Sequence, residues 1–75
     1  MKTFEFTIIA SGLDPDAPDF AGRFFAAGCD DATISFQKGV IVLDFARQSK
    51  TLVGALVSAA RDVSRAGARI MSDDP

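Results

Sequence analysis

Apolar and polar residues alternate along two stretches of the chain and recur at helical spacing along two others. From Phe4 to Ala10 the alternation puts Phe4, Phe6, Ile8 and Ala10 on one face and Glu5, Thr7 and Ile9 on the other, which predicts a half-buried strand. Ser11 and Gly12 break it. Between Thr33 and Phe45 two runs of β-branched and aromatic residues meet at Gln37, Lys38 and Gly39. That predicts a β-hairpin, with Gly39 supplying the positive φ of a tight turn. Ile34 and Phe36 share one face of its first strand, with Thr33 and Ser35 on the other. In its second strand Ile41, Leu43 and Phe45 point inward and Val40, Val42 and Asp44 outward.

The helical stretches fall between and after these strands. LDPDAPD supplies a turn and then start signals: Asp16 as N-cap, Pro18 in the first turn, and Asp19 near the positive end of the dipole. A helix is predicted from about Ala17 to Ala27, with Phe20, Phe24 and Ala27 toward the core, Ala21 and Phe25 flanking, and Gly28 ending it. Cys29, Asp30 and Asp31 lead on to the hairpin. After Arg47 and Gln48, Ser49 or Lys50-Thr51 opens a second helix whose apolar positions are Leu52, Leu56, Ala59, Ala60 and Val63, closed by Gly67. Ala68 to Ser72, with Ile70 and Met71, reads as a fourth strand.

The order is β-α-β-β-α-β, the split βαβ arrangement of the α+β, ferredoxin-like class, in one domain over residues 1–75. Right-handed crossovers place both helices on one face of a four-stranded antiparallel sheet. The other face then carries Glu5, Thr7, Ile9, Thr33, Ser35, Val40, Val42, Asp44, Arg69 and Met71, and is where a partner would meet the fold.

Composition narrows what such a domain can do. Of 75 residues 48% are hydrophobic and 24% charged, a globular balance. No apolar run approaches the ~20 residues of a membrane-spanning helix, and the N-terminus lacks a secretory pattern, so a cytoplasmic protein is expected. Ten acidic against eight basic residues give a net charge of −2. That charge argues against a direct grip on nucleic acid and favours protein partners, including basic ones. There is no His and a single Cys, so neither a disulfide framework nor a Cys-rich metal site is expected.

Each candidate for chemistry has a simpler reading. Cys29 beside Asp30 and Asp31 lacks the base that a nucleophilic thiol requires and the further ligands that zinc requires. Asp14, Asp16 and Asp19 lack the glycine and distal glutamate of a calcium loop. Glu5 and Asp44 on neighbouring strands form a pair of carboxylates with no His or Lys to complete acid–base machinery. Phe4 and Phe6 resemble base-stacking positions of RNA-binding sheets, but VIVLDF lacks the basic Gly-aromatic motif of the third strand; all seven Phe are expected in the core. Arg61, Arg65 and Arg69 read as a solvated face. Neither catalysis nor a cofactor or metal is expected. Protein-binding candidates are the acidic residues Asp30, Asp31, Asp44, Asp73 and Asp74, placed together at one end of the sheet with Asp44 at the exit of the third strand, and Glu5, Val40 and Val42 on the open face.

The strings AGCDDATIS and GVIVLDFARQSKTLVGALVSAARDVSRAG, with the opening MKTFEFT and Ser11-Gly12, carry a resemblance. The chain resembles the N-terminal domain of small bacterial and phage proteins in which a ferredoxin-like domain precedes a helix-turn-helix DNA-binding segment. Residues that carry it include Gly39, Leu43-Asp44-Phe45, Arg47 and Ala66-Gly67. The resemblance implies a fold and no catalytic residue. Here the sequence ends at Pro75, so the expectation is the partner-binding half standing alone. Small acidic single domains of this kind also resemble phage-encoded inhibitors, anti-CRISPR proteins among them. That implies masking of a basic nucleic-acid-handling bacterial complex, such as a CRISPR effector, inside the bacterial host cell. The alternative is a regulatory or dimerisation domain related to helix-turn-helix or antitoxin proteins, monomeric or weakly dimeric.

Overall fold

In a computed structural model, which describes residues 1–14 and 16–74 and only the backbone of Asp73 and Asp74, six elements follow in the expected order. They are β1 (Lys2–Ser11), α1 (Phe20–Ala26), β2 (Ala32–Gln37), β3 (Val40–Ser49), α2 (Leu52–Arg65) and β4 (Arg69–Asp74). The strands form one antiparallel sheet in the order β2-β3-β1-β4. This is the ferredoxin-like arrangement, with the first and third strands central. Among the described residues no helix is long and apolar enough to cross a membrane.

Local chemistry accounts for each element. Lys38 at φ 50° and Gly39 at φ 83° make the two-residue loop between Gln37 and Val40; two positive φ values in succession match the twist of the flanking strands. Alternation turns Phe6, Ile8, Ala10, Ile41, Leu43 and Phe45 into the core, where the rings of Phe6 and Phe45 stack with centroids 5.2 Å apart. Thr51 caps α2, its hydroxyl accepting from the Gly54 N–H at 3.0 Å. Ala55, Ala59 and Val63 then face the sheet as a buried stripe. Phe24 is the buried residue of α1 and meets Phe20 edge to face at 5.5 Å.

The bounds differ from the periodicity in informative places. α1 begins at Phe20 rather than Ala17, because the Asp14 carboxylate accepts the Asp16 N–H at 2.9 Å and commits that segment to turns. Asp16 is therefore not the N-cap. Asp19 holds that position without capping, its carboxylate engaged by Arg23 Nε at 2.8 Å. The hairpin's second strand continues past Phe45 to Ser49, since Lys2 to Glu5 pair with Ser49 to Ala46. Asp44 is consequently mid-strand, not at the strand exit. β4 runs to Asp74 and contains a bulge where its register with β1 shifts between Ile9 and Ala10. Nor do all seven Phe reach the core: Phe25 is 52% exposed and Phe36 46%. Phe25 lies on the outer side of a helix of only seven residues, and Phe36 sits near the end of the edge strand β2.

A candidate protein-binding face

The register fixes which residues share the sheet face that the helices leave uncovered. One row across the strands holds Thr33, Asp44, Thr7 and Asp74; the next holds Ser35, Val42, Ile9 and Ser72. Beyond them Gln37, Val40, Ser11 and Arg69 complete one end, and Glu5 with Ala46 the other. Ile9, Val40 and Val42 are half-buried and form an apolar strip at the centre. Glu5 and Asp44 are exposed and line one shallow hollow of about 660 Å³ together with Thr7, Thr33 and Ala46. The Thr7 hydroxyl donates to Asp44 Oδ1 at 2.7 Å. That bond holds the carboxylate over the central strand pair, one oxygen still open to a partner. The face thus offers an apolar strip with negative charge toward one end and Arg69 at the other.

The acidic candidates divide into separate groups. Asp30 is exposed in the connection before β2. Asp31 is turned to the opposite side of the sheet, where Arg47 Nε donates to Oδ2 at 2.7 Å and Nη2 to Oδ1 at 3.0 Å. It is therefore neutralised by an internal partner rather than presented outward. Asp44 lies on the open face with Glu5. The backbone of β4 places Asp74 opposite Thr7 and Asp73 opposite Ile8; their side chains, and Pro75, lie outside the described residues. Among the described side chains, Asp31 and Asp44 lie on opposite faces of the sheet and so do not form one acidic patch.

Arg47 organises this side of the sheet. It continues the inward phase of Ile41, Leu43 and Phe45, and at 8% exposure it is the buried charged residue of the described chain. Its Nη1 donates to Asp62 at 3.0 Å and Ser58 at 3.1 Å, its Nη2 donates also to the Gly28 carbonyl at 2.8 Å, and the guanidinium lies 5.0 Å from the Phe45 ring centroid. Hydrogen bonding to Asp31 raises the Arg47 pKa against the opposing effect of burial. Every position of the guanidinium faces a protein acceptor or ring, which leaves it suited to cross-linking elements rather than to binding a ligand. A strict reading of the alternation could have found it, because Arg47 falls in phase with three buried residues.

Cys29 is fully buried, and burial pushes its thiol up to about 11, assisted by the nearby Asp62 carboxylate. A thiol so placed stays protonated and inert. Among the described residues no group of three or more acidic, Cys or His side chains is arranged to hold a metal ion. Glu5 and Asp44 are not directly opposite: Glu5 pairs with Ala46 and Asp44 with Thr7. Arg65 approaches Asp62 at 3.9 Å, a long contact between an exposed head and a carboxylate already engaged by Arg47.

No family model matches the chain, and no curated protein and no solved structure matches it either.

Proposed function

We propose that the chain works as a non-catalytic protein-binding module whose contact surface is the uncovered sheet face. One observation carries this reading: the half-buried strip of Ile9, Val40 and Val42 lies open beside Glu5 and Asp44, with no element among the described residues covering it. An apolar centre with charges at its border is how specific interfaces are built, the centre supplying affinity and the border supplying selection. The chemistry of Glu5 and Asp44 selects a partner with Arg or Lys beside an apolar contact. In its most specific form the module masks a basic, nucleic-acid-handling surface of a bacterial complex, as an inhibitor of the anti-CRISPR kind does.

The test is affinity capture with the tagged chain from cells carrying CRISPR effectors, followed by measurement of target-DNA binding with the chain added. Capture that survives stringent washing and is lost with the double variant Glu5→Lys/Asp44→Lys supports the face. Capture unchanged by that variant overturns the assignment of the surface. If no effector is retained and DNA binding is untouched, the inhibitor form is wrong.

A further inference from the structure

The two edges of the sheet are unlike. Edge strands expose unpaired N–H and C=O groups, and proteins that stay unpaired guard them with charges, prolines or bulges. β4 has a bulge in its pairing with β1 and carries Arg69, Asp73 and Asp74 in its sequence. β2, ATISFQ, has no charge, no proline and no irregularity in its pairing with β3. Its helix-facing residues Ala32, Ile34 and Phe36 are all apolar, and Phe36 is 46% exposed.

The backbone of β2 also points its free groups in a defined pattern. The two-residue loop makes Gln37 and Val40 a hydrogen-bonded pair, so Thr33, Ser35 and Gln37 turn toward β3 and Ile34 and Phe36 turn away. The Asp31 carbonyl, which accepts the Ala46 N–H at 3.0 Å, continues the same alternation. The Ala32 N–H is used locally, donating to the Cys29 carbonyl at 3.3 Å. The N–H groups left for an added strand are those of Ile34 and Phe36.

We propose that β2 is the pairing edge for a second copy of this chain, joining two sheets antiparallel about a two-fold axis at Ile34. A two-fold axis perpendicular to the sheet keeps each face on its own side, so it must run midway between the two copies of a single residue, and a residue whose N–H and C=O point outward closes the most hydrogen bonds. With Ile34 opposite Ile34 of the second copy, Ala32 faces Phe36 of that copy and Phe36 faces its Ala32. Four backbone bonds close: two between the Ile34 residues and one from each Phe36 N–H to the other copy's Ala32 carbonyl. Phe36, 46% exposed in the single chain, gains an apolar neighbour. The same register sets the exposed Asp30 alongside Lys38 of the second copy, twice by symmetry. Opposite charge at the two ends of an uncharged strand is self-complementary only in the antiparallel sense, and it favours this chain over an unrelated strand as the occupant. Such a dimer leaves the open face uncovered in both copies, free for the partner proposed above.

Light scattering over micromolar to millimolar concentrations, with circular dichroism to follow folding, tests it. The wild type is expected at twice the chain mass. Phe36→Lys places a charge on the pairing edge and is expected to stay folded and raise the dimer Kd by at least about tenfold. Should that variant not fold, the charge swap decides: Asp30→Lys or Lys38→Asp alone weakens the dimer several-fold, and the double variant restores it, with Asp tolerating the positive φ at position 38. Slowed exchange of the Ile34 and Phe36 amides in the dimer supports the register. A wild-type monomer at millimolar concentration, a folded Phe36→Lys dimer of undiminished affinity, or a double swap that fails to restore pairing would overturn it. A dimer broken by Val42→Glu and not by the β2 variants places the contact on the open face and overturns it equally.

Discussion

Arg47 grips Asp31 side-on, two parallel N–H donors meeting two carboxylate oxygens at 2.7 and 3.0 Å. The geometry is the strong form of a charged hydrogen bond, and it ties the end of β3 to the connection that enters β2. Through Asp62 the same guanidinium also holds α2. Removing it leaves Asp31 without its counter-charge and Asp62 with only the long contact to Arg65. Arg47→Ala is therefore expected to cost about 1.5–3 kcal/mol in urea unfolding, the usual range for hydrogen bonds to charged groups, because Asp31 and Asp62 keep part of their surface in water. Arg47→Lys should recover only part, because a single ammonium cannot reproduce the fork. A loss below about 1 kcal/mol in the alanine variant would show that the network is solvated and weak.

Gly28 transmits the same network to the end of α1. Its φ of +106° lies where side chains are strained, and a Cβ there would stand 2.8 Å from Asp62 Oδ2 and 3.1 Å from its Cγ. Gly28→Ala is expected to cost about 1–2 kcal/mol for the left-handed backbone, plus the displacement of Asp62 from Arg47. The two parts separate in a double-mutant cycle. In an Asp62→Ala background the same substitution should cost less, with a coupling of about 0.5–3 kcal/mol. Equal costs in both backgrounds would mean that the carboxylate yields freely. Gly22→Ala is the control within α1, with nothing within 4 Å of the added carbon and an expected gain of roughly 0.5–1 kcal/mol.

The order and faces of the strands were legible because period-two alternation is a direct consequence of burying one side of a sheet. Ile8, Ile41 and Leu43 announced the core for that reason, and Gly28, Gly39 and Gly67 announced element ends by their place after periodic runs; all three have positive φ. What hydrophobicity could not show is a charge in a core phase. Arg47 looks like the end of a strand until Asp31 and Asp62 are seen to neutralise it. Phe36 failed in the opposite sense: its residue type and phase say core, but it belongs to an edge strand, and exposure there depends on how far a seven-residue helix reaches. Asp44 was placed on the correct face and at the wrong height. The extra pairing of β1 beyond Phe4 runs through polar residues and leaves no apolar signature.

Cys29 gives the fold an alkaline limit. Burial raises its thiol from an ordinary 9.0 to about 11, with the Asp62 carboxylate adding to the shift. In the unfolded chain the thiol ionises first, so between those values the unfolded state holds fewer protons than the native state. Stability is then fully present below about pH 9, falls as pH rises toward 11, and levels off above it, a total of about 3 kcal/mol at 1.36 kcal/mol per unit. The background is simple: the chain has no Tyr, and Lys2, Lys38 and Lys50 are exposed. Urea unfolding of wild type and Cys29→Ala between about pH 8 and pH 11 isolates the thiol, because the alanine variant loses only the slope that Cys29 supplies. The variant begins less stable through its lost packing, and the two stabilities should converge as pH rises. Parallel curves would mean that the native thiol ionises as easily as the unfolded one. In the native protein at neutral pH a thiol reagent should label Cys29 only at the rate at which the core opens.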